Sequence, residues 1–225
     1  MARISVSRAP GASLRRLGEG DLVRGQRPFL RLLCAAIVGS AYARVYGELE
    51  AALRAELDEL AALADDAAPL LLWATLEGRL VGVFWGYALA AAPALGDGLR
   101  GLARRALAEP TTRARDLDSF GVAPATRADD AELRALAGGV AGHRLFYADW
   151  VAVAPACRGR GVARRLWSRG LAEARASGRF DGYVARTIGE NRGLLGRFYC
   201  GEMGGRVYFT WSEGDLRRVA FGGRW

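Results

Sequence analysis

The stretch DWVAVAPACRGRGVARRLWSRGLAEARASG, residues 149–178, restricts this chain more than any other. An alternating apolar run stops at Pro155. Arg158, Gly159, Arg160, Gly161 and Arg164 then crowd together, and a helical pattern follows. Ala163, Leu166, Trp167, Gly170, Leu171 and Ala174 share one stripe of that pattern, while Arg164, Arg165, Ser168, Arg169 and Arg175 fall elsewhere. This order reads as strand, turn and helix, with the apolar stripe packed on a sheet. The helix N-terminus falls near Gly159–Gly161. There an α-helix presents N–H groups without an internal acceptor, together with the positive end of its dipole. Glycines let those amides come close to a ligand, and arginines add charge. The segment is therefore a candidate anion cradle, suited to a pyrophosphate.

The rest of the chain reads as one α/β domain over residues 1–225. RISVS (3–7) alternates like a short edge strand. Residues 28–47 and 48–66 read as two helices parted near Gly47, the second with Leu49, Leu53, Leu57 and Leu60 at helical spacing. Residues 69–89 read as a hairpin whose turn Gly78 supplies. Residues 90–142 are rich in Ala, Gly, Arg and Asp. They show short helical patterns at 98–108 and 128–138, with Pro110 and Pro124 between them, and read as an inserted, lid-like segment. Its acids, Asp97, Glu109, Asp116, Asp118, Asp129, Asp130 and Glu132, are either an attraction for a cationic substrate or ordinary solvated loop charge. A strand at 143–153, a helix at 159–177, a strand at 182–188 and a short helix at 192–201 follow. A hairpin at 205–212 and 215–222, across Glu213-Gly214, closes the pattern.

Composition narrows the function classes. Half the residues are hydrophobic (51%) and a quarter charged (25%), as in a soluble globular protein. The net charge of +8 favours an anionic partner without choosing among nucleic acid, a membrane surface and a phosphorylated small molecule. All 32 basic residues are arginine. With the many alanines, this points to a GC-rich genome and weakens any argument from arginine abundance alone. Cys34, Cys157 and Cys200 are odd in number and far apart, so they offer neither a disulfide framework nor a metal-ligand pair. A reducing, cytoplasmic setting and no metal are expected. His143 is the only histidine, which disfavours a histidine metal site or a His-centred triad. The apolar run within residues 30–43 is too short for a membrane span and contains Arg31, so it reads as a buried amphipathic helix.

Several phosphate-binding families place glycines before a helix. No GxxxxGK[ST] occurs here, and GRGVAR lacks the full dinucleotide-binding spacing and its acidic partner. Arg158-x-x-Gly161-x-Ala163, after the strand WVAV, resembles the acyl-CoA-binding motif Q/R-x-x-G-x-G/A of the GNAT N-acetyltransferase superfamily. NRGLLGRFYCGEMGGRVYF (191–209) is similar to that family's Asn…Phe-Tyr…Gly block, and a closing hairpin follows in both. The likeness covers residues 143–222 well, 69–89 moderately and 3–66 by element order. Two departures stand out. About fifty residues separate the third and fourth strands, and the Asn191–Tyr199 spacing is one residue longer than the common pattern.

The resemblance implies a mixed, mostly antiparallel central sheet flanked by helices, here with a helical insertion between its third and fourth strands. It implies acetyl-CoA as cosubstrate and direct acyl transfer to an amine. Backbone groups of Val151, Ala152 and Val153 would hold the pantetheine arm. Amides of Arg158, Gly159, Arg160, Gly161, Val162, Ala163 and Arg164 would hold the pyrophosphate, and Asn191 would touch the pantetheine region. Tyr199 would protonate the departing thiolate, against its reading as a core aromatic beside Phe198. Asp149 shares a strand face with Tyr147, Val151 and Val153 by alternation. It is a candidate base or ammonium anchor, against a strand-end carboxylate paired with an arginine. Glu190 is a weaker candidate base and His143 a weaker relay. The expected acceptor is a small molecule or a peptide amine. Neither nucleic acid nor a membrane is expected as partner, and monomer and homodimer both remain open. The alternative is an acyl-CoA-binding sensor without turnover.

Overall fold

A computed structural model describes residues 4–8, 32–37, 67–138 and 144–225. Its seven strands are β1 (Ile4–Arg8), β2 (Leu70–Leu76), β3 (Arg79–Ala88), β4 (Leu145–Val153), β5 (Gly182–Ile188), β6 (Arg206–Glu213) and β7 (Leu216–Arg224). They form one sheet in the order β1-β2-β3-β4-β5-β7-β6, mostly antiparallel, with β4 and β5 parallel. Among the described residues, the helices of seven residues or more assigned as α are α1 (Pro93–Ala108), α2 (Pro110–Phe120), α3 (Asp130–Leu136) and α4 (Val162–Ala176). This is the mixed α/β architecture expected. Of the helices expected at 28–47 and 48–66, residues 32–37 are helical and the remainder lies outside the described residues, as does His143.

Two compact units are distinguished: residues 1–86 with 149–173, and residues 87–148 with 174–225. In the first, β2 and β3 join through Glu77 (φ 52°) and Gly78 (φ 74°). Positive φ at both central residues marks the tight turn whose twist suits a hairpin, so Glu77 shares the left-handed geometry with the glycine. Helix α4 crosses β3 at very short range. A Cβ at Gly82 would stand 2.9 Å from Leu166 Cδ1 and Val162 Cγ1, and one at Gly170 would stand 2.2 Å from Phe84 Cε1. Trp167 meets the edge of Phe84 at 5.6 Å. The buried face carries Leu166, Trp167 and Leu171, as the periodicity predicts. Val162 is also buried, while Ala163 is only half-buried. These contacts fix where the helix begins over the strands, and hence where its first amides lie.

In the second unit, β4 pairs with β5 from Leu145↔Gly182 to Ala148↔Ala185, and β7 pairs with both β5 and β6. The segment expected to be a lid-like insertion shares a core with these strands. Leu99 and Ala103 of α1 and Leu133 and Leu136 of α3 pack with Tyr147, Val184, Tyr208, Phe209 and Ala220. Helix α2 is a difference from the sequence reading, which placed Pro110 between helices. Pro110 stands at the first turn of α2, where its missing N–H costs nothing. Only Leu117 and Phe120 of that helix are buried, too few to make an apolar period. The short helix after β5 is an α turn, Arg192–Leu194, running into a π-helix, Leu195–Glu202.

Candidate active site

The strand–turn–helix motif lies within the first unit. After β4, Ala154 donates to Val81 O at 2.9 Å, and Pro155–Cys157 makes a single 3₁₀ turn. Arg158 is extended, and Gly159 and Gly161 both take φ 73°. The first helical hydrogen bond runs from the Arg165 N–H to Gly161 O at 3.1 Å. Gly161 thus caps α4, and the amides of the turn beginning at Val162 point away from the helix body. Cys157 and Val162 are buried and anchor the loop, while Gly159, Arg160 and Gly161 are exposed. A Cβ built on Gly159 or Gly161 meets nothing within 4 Å. Both glycines are therefore required by backbone conformation, and the space above them is open to a ligand.

Arg158 has a partner that the sequence did not reveal. Its Nη2 donates to Ala36 O at 2.7 Å, tying the loop to the helical residues 32–37. Along β4, Ala152 is buried, and Val151 and Val153 are half-buried. Asp149 is half-buried, and its Oδ2 accepts a hydrogen bond from Trp85 Nε1 at 3.2 Å. Trp85 stacks on Trp150 with centroids 5.2 Å apart and planes 15° from parallel.

Asn191 and Tyr199 belong to the second unit. Asn191 Nδ2 donates to Thr187 Oγ1 at 3.1 Å, tying the turn Gly189–Asn191 to the end of β5. Thr187 is 4% exposed, so this bond satisfies a buried hydroxyl. Tyr199 is 6% exposed, with its ring 4.6 Å from Phe221 and 4.9 Å from Phe198. Glu190 is exposed. Burial pushes the Cys200 thiol up to about 11.

Sequence reasoning passed over Arg186. Its Nε donates to Tyr147 Oη at 2.7 Å, and its guanidinium lies 5.6 Å from the centre of that ring. Tyr87 meets Tyr147 edge-on at 5.5 Å. An arginine inside the apolar run GYVARTI was the available signal. A cleft of about 350 Å³ is lined by Arg127, Asp129, Ala131, Glu132, Arg206 and Arg224. Its two acids are already engaged with each other's backbone. Asp129 Oδ1 accepts from the Glu132 N–H at 2.8 Å, and Glu132 Oε2 accepts from the Asp129 N–H at 2.9 Å. Among the described residues, no group of three or more His, Cys, Asp or Glu side chains is placed to hold a metal ion, and no helix is long and apolar enough to cross a membrane.

Residues 38–199 match the model of the acetyltransferase (GNAT) family. No curated protein matches the sequence. Among solved structures, the chain is similar to the PaiA N-acetyltransferase from Thermoplasma acidophilum in complex with coenzyme A, with 10% identity, TM-score 0.54 and 99% of each chain covered. It is also similar to an N-acetyltransferase from Staphylococcus aureus Mu50, with 12% identity, TM-score 0.52, 99% of this chain and 98% of that one covered. A third, histone acetyltransferase HPA2 and related acetyltransferase from Corynebacterium glutamicum ATCC 13032, shares 16% identity at TM-score 0.52, with 99% of this chain and 96% of that one covered. At these identities the likeness establishes the fold alone.

Proposed function

The chain belongs to the acetyltransferase (GNAT) family, and from that premise we propose that it transfers the acetyl group of acetyl-CoA directly to a primary amine of a small molecule or peptide. Family membership implies acyl-CoA-dependent acyl transfer. The observation that carries it is the turn before α4. Two glycines at φ 73° leave open space directly above the first amides of a 15-residue helix, which is what a pyrophosphate needs.

In this proposal the amides from Arg158 to Arg164 hold the pyrophosphate, and backbone groups of Val151, Ala152 and Val153 hold the pantetheine arm. Asn191 touches that arm while keeping its bond to Thr187. Asp149 receives the acceptor as an ammonium or takes its proton. An alkylamine with a pKa of about 10 is mostly protonated at neutral pH, so its proton must leave to a base, the carboxylate directly or through a water relay. The free amine nitrogen then bonds to the acetyl carbon and sheds its extra proton to water, the carbon–sulfur bond breaks, and Tyr199 Oη gives its proton to the thiolate and regains one from solvent. The chain needs no covalent intermediate of its own, and Cys157 has no nucleophilic role.

One observation favours a second reading, an acyl-CoA-binding sensor without turnover: Tyr199 is packed between Phe198 and Phe221 as a core aromatic would be. Thiol release from acetyl-CoA with n-butylamine, phenethylamine, spermidine and glycinamide separates the two. The enzyme reading expects amine-dependent release by the wild type. It also expects Tyr199→Phe to lower kcat by about 10-fold or more, at the low end for general acid catalysis because water can substitute. Acetyl-CoA affinity and thermal stability should change little, since phenylalanine keeps the ring. A variant with wild-type kcat, measured where chemistry limits the rate, leaves Tyr199 as core. Amine-independent binding of acetyl-CoA without thiol release identifies a sensor.

A further inference from the structure

Resting on the acyltransfer reading, a second residue of that site can be identified from geometry alone. Trp85 is 2% exposed, and its indole is clamped by stacking on Trp150. From that fixed position its only donor, Nε1–H, reaches Asp149 Oδ2 at 3.2 Å. A carboxylate has about four lone-pair sites, and an indole occupies one of them. The bond therefore holds one oxygen of the Asp149 carboxylate against a fixed donor. We propose that Trp85 is a positioning residue, whose indole N–H holds the Asp149 carboxylate in the orientation that receives the acceptor amine.

A competing account runs in the opposite direction. A buried indole N–H needs an acceptor, and Asp149 is then present only to satisfy Trp85. The two accounts differ in what a neutral acceptor does at position 149. Asparagine still offers an oxygen to the indole but has no charge for an ammonium. If Asp149 serves Trp85, Asp149→Asn is silent in catalysis. If Trp85 serves Asp149, Asp149→Asn impairs the reaction, and the loss of the indole donor matters only while the carboxylate is there.

The test is a double-mutant cycle on amine-dependent thiol release from acetyl-CoA, using whichever of the four panel amines the wild type turns over best. Trp85→Phe is expected to lower kcat/KM for the amine about 10-fold, the scale of one hydrogen bond to a charged group. In the Asp149→Asn background the same change should cost about 2-fold or less, because the indole then orients an amide that has no charge for the ammonium. KM for acetyl-CoA should stay near the wild-type value in all four proteins. Should Trp85→Phe fail to fold, β-(3-benzothienyl)alanine introduced at position 85 keeps the two-ring shape and lacks the N–H. Equal factors in both backgrounds, a silent Asp149→Asn, or a parallel rise in KM for acetyl-CoA would each overturn the proposal. A wild type that releases no thiol with any panel amine overturns the acyltransfer reading itself, and this inference with it.

Discussion

The segment 149–173 and the insertion at about 90–142 are both rich in alanine, glycine and arginine, yet they use arginine in different ways. In α4 the exposed side chains Arg164, Arg165 and Arg169 stand opposite the packed stripe; Arg169 pairs with Glu173 at 2.5 Å, and Arg165 reaches distant backbone, its Nη1 3.4 Å from Ile4 O. Around the insertion, arginines reach far along the chain to hold backbone. Arg113 Nε donates to Tyr208 O at 2.8 Å and its Nη2 to Ala128 O at 2.5 Å. Arg206 Nη1 donates to Ala125 O, and Arg217 Nη2 donates to Asp116 O at 3.3 Å as well as to the Ser119 hydroxyl at 2.7 Å. Burial lowers the pKa of Arg113, opposed by the nearby carboxylates of Asp130, Glu132 and Asp129. A guanidinium has five donors in a planar fork, so it joins two carbonyls from different elements in a fixed geometry that the three rotatable donors of lysine do not impose. A net charge of +8 is accordingly a poor guide to partners here, because part of that charge is structural. The acids tell the same story. Asp97 pairs with Arg100 at 2.5 Å, Asp118 with Arg127 and Asp130 with Arg134 at 3.6 Å, which supports the ordinary-charge reading over attraction of a cationic acceptor.

The largest expected effect tests whether the insertion is as much a part of the core as α4. Leu133 in α3 and Leu166 in α4 are both 0% exposed. Each change to alanine should lower stability by about 2–5 kcal/mol, read from chemical denaturation. If Leu133→Ala costs less than about 1 kcal/mol while Leu166→Ala costs the full amount, the insertion is peripheral and the comparison breaks.

The two regions also differ in what the sequence could disclose. Strand β5 was read at 182–188 and α4 at 159–177, because alternation and a clean apolar stripe are local signals. The turn chemistry of Gly159 and Gly161 was legible for the same reason. Helix α2 was not, since its order comes from Arg113, Leu117 and Phe120 reaching the strands, not from a periodic face. Partners distant in sequence were invisible as well: Ala36 is 122 residues from Arg158, and Trp85 is 64 from Asp149. The π-helix falls between these cases. Beside the resemblance, the Asn191–Tyr199 spacing reads as one residue longer than the common pattern, and the π-helix Leu195–Glu202 begins inside that stretch. The Met203 N–H bonds Phe198 O at 3.0 Å, five positions back, in that wider turn.

A middle-sized effect sharpens the account of the motif. Gly161 is needed for its φ of 73°, and the open space above it is where a ligand would lie. Alanine and asparagine separate the two requirements, since asparagine tolerates left-handed geometry better. Gly161→Ala should lose more thermal stability than Gly161→Asn. Both should weaken acetyl-CoA binding about 10-fold in calorimetry, or roughly 1.4 kcal/mol, because both place a side chain over the first amides. Wild-type affinity in a folded Gly161→Asn protein would mean that only the turn conformation matters and that the pyrophosphate lies elsewhere.

The smallest effect belongs to Arg158, an arginine of the motif whose behaviour resembles those of the insertion. Its guanidinium is exposed and donates to Ala36 O, so its charge is directed at the carbonyl of another segment. One exposed hydrogen bond of this kind contributes about 0.5–1.5 kcal/mol net, with water ready to replace it. Arg158→Ala should therefore lower the melting temperature slightly and change acetyl-CoA affinity by about 2-fold or less, since backbone amides carry the anion in this arrangement. Salt provides the discriminating axis. A guanidinium that contacts phosphate loses its contribution as ionic strength rises, because the Debye length shortens from about 10 Å at 0.1 M to about 3 Å at 1 M. If the wild type binds acetyl-CoA much more tightly than Arg158→Ala at low salt, and the gap closes at high salt, Arg158 has left Ala36 for the pyrophosphate. A small gap at every salt concentration, alongside a salt-insensitive loss of melting temperature, keeps it as a backbone tie like Arg113.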